Sequence, residues 1–191
     1  MNWSGQGANP ARVRLLLVLL FVVAGCAKPK PLPVLGIVPA FELTSQDGAV
    51  WSSKSLDGKP YVANFIFTRC PTICPTFTAK MASIQKKTGD GLNLVSFSVD
   101  PEFDTPEKLA EYAKKYEATP RWTFLTGERA AMENIVIKGM MQTMVKGDGS
   151  LMSIGHGSHF VLVDGKQQIR GFYRFNDDDS VEKVVRDANA I

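Results

Sequence analysis

The chain has 191 residues, 45% of them hydrophobic, and its 22 lysines and arginines against 19 acids leave a formal charge of +3. So even a balance supplies no basic face of the kind that holds nucleic acid, which is therefore not an expected partner. No Gly-rich phosphate loop, nucleophile elbow or HExxH motif occurs, and the chain holds only three cysteines and two histidines.

At the N-terminus, Arg12 and Arg14 precede the apolar run "LLLVLLFVV", which leads into Cys26. The run is short for a transmembrane span and is followed by polar, proline-rich chain, so residues 1–25 read as a secretion signal. "VAGC" at 23–26 resembles a bacterial lipobox, in which Cys26 becomes the lipidated first residue. An uncleaved signal-anchor with a free thiol is the alternative. Either way the chain is expected to be tethered outside the cytoplasm, in the bacterial cell envelope, facing the periplasm or the exterior. Residues 26–38, with prolines at 29, 31 and 33, form an extended spacer. Residues 39–191 are enough for one domain with its own core. Without residues 1–25 there are 20 basic and 19 acidic side chains.

Within the domain, "YVANFIF" at 61–67 is a nearly continuous apolar run, as expected of a strand buried on both faces. From Pro75 the spacing turns helical, with Phe77, Met81 and Ile84 on one face and Gly89 as a stop. "LNLVSFSV" at 92–99 is a second buried strand. Thr105 and Pro106 supply an N-cap and a first-turn proline for a helix to about residue 116. "WTFLT" at 122–126 is a third strand, followed by a helix over "ERAAMENIVIKGM". Two β-like runs around Asp164 and Gly165 make a hairpin, and a last helix starts near Ser180 with Val181, Val184 and Val185 inward. This order gives an α/β fold with a central mixed sheet flanked by helices and a hairpin after the histidine-bearing loop, and a dithiol between the first core strand and a helix is the arrangement of thioredoxin-like folds.

That dithiol is Cys70 and Cys74 in "FTRCPTICPTF". Each cysteine precedes a proline, which disfavours α-helical backbone, so Pro75 is expected as the first helical residue with Cys74 at or near the N-cap. The helix amides and Arg69 should lower both thiol pKa values. Three uses of the pair stand open: a structural disulfide, a redox dithiol, or a metal site. A bridge over so small a loop removes little chain entropy, and redox catalysts of the thioredoxin type have two intervening residues rather than three. Among metals, two thiolates with few other ligands suit copper better than zinc, which prefers four. His156 and His159 are the available imidazoles. His156 lies between two glycines in what reads as a mobile loop, and His159 adjoins the following strand.

Taken together, "FTRCPTICP", "SVDPEFDTPEKLAEYAKKY", "WTFLTG" and "HGSHFVLVD" resemble the Sco/SenC family of copper-binding, thioredoxin-fold proteins over about residues 38–190. The resemblance implies that Cys70, Cys74 and a histidine bind one copper ion, Cu(I) or Cu(II). The family's ligand histidine stands eight residues before the residue that opens the hairpin turn, which selects His156. It further implies a membrane-tethered metallochaperone that assists assembly of the CuA centre of cytochrome c oxidase. Its partners would be the copper-bearing subunit of that oxidase, together with another copper chaperone or a thiol reductant. Oxidation of Cys70 and Cys74 to a disulfide would abolish metal binding. The alternative function is an extracytoplasmic thiol–disulfide oxidoreductase with Cys70 and Cys74 as its catalytic pair.

Two departures from the family pattern stand out. His159 occupies a position usually small or hydroxylic, which leaves it open as an auxiliary ligand, and the hairpin "DGKQ" is short. Asp100 and Asp104 match the family's acidic loop but read first as turn caps before the Thr105 helix. Met140, Met141, Met144 and Met152 suggest a thioether copper site, but the spacing of 140, 141 and 144 is first that of ordinary helix core.

Overall fold

The computed structural model describes residues 1–2, 31–148, 150 and 154–191. The signal, the lipobox and Cys26 lie outside the described residues, as does Met152. Residues 32–191 make one packed unit, beginning inside the stretch read as spacer. No helix among the described residues is long and apolar enough to cross a membrane.

Ten strands are described: β1 (Gly36–Ile37), β2 (Glu42–Ser45), β3 (Val50–Ser52), β4 (Tyr61–Ile66), β5 (Asn93–Ser98), β6 (Trp122–Thr126), β7 (Met144–Val145), β8 (Gly155–His156), β9 (His159–Val163) and β10 (Gln168–Arg174). Eight of them form a mixed sheet in the order β1-β10-β9-β4-β5-β6-β2-β3. The centre is parallel, β4 with β5 and β5 with β6, and the flanking pairs are antiparallel. Every residue of β4 is buried, the condition for which an unbroken apolar run is selected.

Helix α1 (Ile73–Lys87) follows β4, α2 (Pro106–Lys115) follows β5, α3 (Arg129–Glu133) follows β6 and α4 (Ser180–Ala188) closes the chain. Thr78 on α1 and Tyr112 on α2 share a hydrogen bond of 2.8 Å, so both crossover helices lie on one face, as right-handed βαβ connections require. Thr105 caps α2 as expected, its side chain accepting from the Lys108 amide. The far end of α1 is closed by Arg121, whose guanidinium donates to the carbonyls of Gln85, Thr88 and Leu92. In the core, the Trp122 indole donates to Ser96 and Ser96 donates to Asn64, a buried polar chain that pins neighbouring strands together.

Three expectations are corrected. Helix α1 starts at Ile73, with Thr72 as N-cap, so Cys74 sits inside the first turn rather than at the cap. The proline penalty is small there because the amide that Pro75 lacks is one of the four without an intrahelical partner. The helix read over 128–140 is α-helical only to Glu133 and continues as a π-helix over Asn134–Gly139. His156, read as part of a mobile loop, lies in β8, paired with Met144 of β7. The hairpin of β9 and β10 turns at Asp164 and Gly165 as read, with the Asp164 carboxylate accepting from the amides of Lys166 and Gln168.

Candidate metal centre

Cys70 ends the segment leaving β4, Cys74 lies one turn further in α1, and His156 arrives on β8. The two Sγ atoms and one ring nitrogen of His156 all lie within 4.8 Å of one another. Cys74 Sγ and His156 Nε2 are 3.7 Å apart. Metal–sulfur and metal–nitrogen bonds of about 2.3 and about 2.0 Å place a sulfur and a nitrogen on one ion about 3.5 to 3.7 Å apart for angles from tetrahedral to trigonal. The Cys74–His156 pair therefore matches two ligands of a single ion, and both cysteines are free thiols in this structure.

The histidine is oriented by its own neighbour. Its Nδ1 lies 2.9 Å from the Gly157 carbonyl; a carbonyl only accepts, so Nδ1 carries the proton and the Nε2 lone pair faces the sulfurs. Phe67 meets the imidazole edge-on and Phe77 stacks near it, at 5.8 and 6.5 Å between ring centroids.

The expectation that both thiols are acidified is corrected. The pKa of Cys70 is lowered to about 4 by the hydrogen bond from Cys74 and by the amides of Cys74, Thr72 and Ile73 at the start of α1. That of Cys74 is pushed up, first by its bond to Cys70 and then by burial. One proton shared between two sulfurs falls to the buried one, and the half-exposed sulfur becomes the thiolate. A soft ion that displaces this last proton gains both sulfurs as thiolates.

Sequence reasoning missed what holds the cysteine turn. Asp104, fully buried, accepts from the amide and hydroxyl of Thr68 and from the Ser98 hydroxyl. Asp100 pairs with Arg69 at 2.7 Å, and the Arg69 guanidinium lies over the Phe103 ring. These acids tie the turn to the end of β5 rather than merely capping α2. The one signal for this in the sequence is a pair of acids directly after the neighbouring parallel strand, where strand ends meet. His159 opens β9, three residues from His156 and outside the three-donor cluster. Met140 and Met144 are core residues as read, whereas Met141 is half exposed.

The SCO1/SenC family model matches residues 31–190. Among solved structures, a SCO1/SenC family lipoprotein from Bacillus anthracis is 33% identical with a TM-score of 0.76, covering 85% of this chain and 98% of its own. BsSco, described as a member of the Sco family of cytochrome c oxidase assembly proteins with a disulfide switch, is 32% identical with a TM-score of 0.75, covering 84% and 97%. Arabidopsis thaliana ScoI with copper bound is 27% identical with a TM-score of 0.71, covering 82% and 100%. Fold, sequence and the spacing of the three donors converge: the chain belongs to the SCO1/SenC family.

Proposed function

We propose that the chain is a membrane-tethered copper metallochaperone that binds one copper ion through Cys70, Cys74 and His156 and assists assembly of the CuA centre of cytochrome c oxidase. The observation that carries this reading is the convergence of two thiol sulfurs and an oriented imidazole within 4.8 Å. It is supported by the copper in the Arabidopsis relative and by the description of BsSco as an oxidase assembly protein. Tethering through a lipidated Cys26, in the cell envelope, is supported by the lipobox-like "VAGC" and by the description of the Bacillus anthracis neighbour as a lipoprotein. In this reading residues 1–25 are the signal, 26–38 the spacer and 39–191 the copper-binding domain.

Each residue has a distinct task. Cys70, already a thiolate, makes the first bond to the ion, and Cys74 gives up the shared proton as it binds. His156 closes the site from a separate arm. Copper is cargo here, and a partner offering more ligands withdraws it by exchange at the half-exposed Cys70 side. Anaerobic titration with copper should give one tightly held ion per reduced chain. Cys70→Ser and Cys74→Ser should abolish that binding, and His156→Ala should weaken it. Equal binding by all variants would overturn the assignment.

A second reading, thiol–disulfide exchange on copper-site cysteines, is favoured by one observation, the depressed pKa of Cys70 beside a resolving Cys74. It predicts turnover with a dithiol donor that survives His156→Ala.

A further inference from the structure

The first strand of the packed unit carries apolar side chains that are left open. Val34, Leu35 and Ile37 are 53%, 46% and 70% exposed, which puts three large exposed hydrophobics within four positions of chain. Leu35 and Ile37, two residues apart along β1, point to the same face. The opposite face is closed at Gly36, where the Met141 methyl rests. β1 is the outermost of the eight strands, with β10 on one side and no strand on the other. An edge strand that presents apolar side chains together with open backbone groups is a combination proteins ordinarily avoid.

Covalent reach decides what can cover this edge. The Leu32 carbonyl accepts from Arg170, and the amides of Leu35 and Val38 donate to the carbonyls of Ile169 and Gln167, so the chain is pinned to the sheet from Leu32 onward. Six residues separate Leu32 from Cys26, and they span at most about 22 Å however they run. With the chain tethered by a lipid on Cys26, or by an uncleaved signal-anchor before it, β1 cannot leave the neighbourhood of the bilayer. Under that confinement even a contact too weak to hold a free protein is populated. The charges agree: Lys28 and Lys30 precede the strand in the sequence, and exposed Lys166 adjoins Gln167, the partner of Val38. Basic side chains so placed are attracted to anionic lipid.

We propose that the β1 edge rests on the lipid surface, with Leu35 and Ile37 at the boundary between headgroups and acyl chains and with Lys28, Lys30 and Lys166 against anionic headgroups. The depth is limited to that boundary, because the outer backbone groups of β1 need water or headgroup oxygens, which the hydrocarbon core lacks. β4 is the fourth strand counted from this edge, so three strand spacings, about 15 Å, separate β1 from the strand that leads into Cys70. Docked this way, the cysteine pair stands beside the membrane at a height set by the sheet rather than by the spacer. The proposal rests on the tethering reading and is independent of copper.

The test supplies the tether chemically, so that it does not depend on how the N-terminus is processed in the cell. Residues 26–191, which contain the whole packed unit, carry Cys70→Ser and Cys74→Ser and are coupled through Cys26 to a maleimide lipid. The vesicles are phosphatidylglycerol with brominated acyl chains. On this background Ile37→Trp should lose most of its added fluorescence to the bromines. Val50→Trp, in the strand at the other edge of the sheet and 79% exposed, should lose none. Adding Leu35→Asp to Ile37→Trp should restore the fluorescence, and phosphatidylcholine vesicles should quench it less. Circular dichroism confirms that each variant is folded. No quenching at residue 37, equal quenching at residues 37 and 50, or quenching untouched by Leu35→Asp would overturn the proposal, and equal quenching in phosphatidylcholine would overturn its electrostatic part. Mass spectrometry of the chain isolated from bacterial membranes tests the tether separately. Finding neither a lipid on Cys26 nor an intact anchor would sink the tethering reading while leaving the vesicle result to stand on its own.

Discussion

Asp104 accepts hydrogen bonds from both the backbone amide and the hydroxyl of Thr68, so the residue two before Cys70 is bound to the chain beyond β5 through one buried carboxyl. Burial lifts the pKa of that carboxyl above its ordinary value. A folded pKa above the unfolded one gives a contribution that is fully present below the ordinary carboxylate range and is lost as pH rises through the folded value. In denaturant unfolding, Asp104→Asn should therefore improve relative to the parent as pH rises out of the ordinary carboxylate range, about pH 4. Parallel pH trends in the two proteins would refute the assignment. Asp104→Ala, which leaves the Thr68 and Ser98 donors without an acceptor, should cost on the order of 3 kcal/mol.

The two thiols should differ in reactivity. With the Cys70 pKa near 4 and that of Cys74 raised, iodoacetamide at about pH 6 should label Cys70 first. Its labelling rate should fall only as pH drops toward the Cys70 value. Peptide mass spectrometry reads this directly, and preferential labelling of Cys74 would mean that the buried sulfur, not the half-exposed one, is the thiolate.

Gly157 is the point where the arm cannot accept a side chain. A methyl there would meet Gln142 at 2.6–3.0 Å and displace the carbonyl that orients His156. Gly157→Ala should lower copper affinity by about tenfold to a hundredfold, the usual cost of losing a group that orients a ligand. Global stability should change little, because β7 and β8 stand outside the main sheet. A large loss of stability with normal copper affinity would contradict both statements.

Arg121 predicts the opposite pattern. Replacing it by Met leaves the carbonyls at the end of α1 without their donor and should cost about 2 to 4 kcal/mol by denaturant unfolding. Copper affinity should hold, since the site is at the other end of a 15-residue helix, about 20 Å away. Reduced copper affinity in a folded Arg121→Met protein would show coupling that the hydrogen bonds do not provide.

What could be read from the residues was whatever is written locally. The β4 run, the Thr105 cap, the Asp164–Gly165 turn and the apolar faces of α1 and α4 each carry their cause within a few positions, and each appears where expected. The start of α1 was misplaced because a general disfavour for helix before proline was applied to a turn in which the missing amide has no partner to lose. β1, β7 and β8 were invisible because two-residue strands have no period to detect; they exist through their partners. In the site, the cysteines announced themselves by spacing, and His156 was singled out by resemblance rather than by pattern. The unequal acidity of Cys70 and Cys74 was out of reach, since it depends on which sulfur is buried. The Arg69–Asp100 and Thr68–Asp104 ties join residues more than 30 positions apart.

The pairing of β7 with β8 has a consequence for release. Two candidate donors stand at the root of the central sheet and the third stands on a ribbon that shows two residue pairs among the described residues, so the halves of the site belong to parts of the molecule with different resistance to opening. In the copper reading, lifting the ribbon would remove one ligand in three and uncover the ion without breaking a strand pairing of the eight-stranded sheet. The free energy of handing over such a cargo would then be separate from that of unfolding: a tight grip and a quick discharge would be set by different stretches of chain, and each could be altered without disturbing the other.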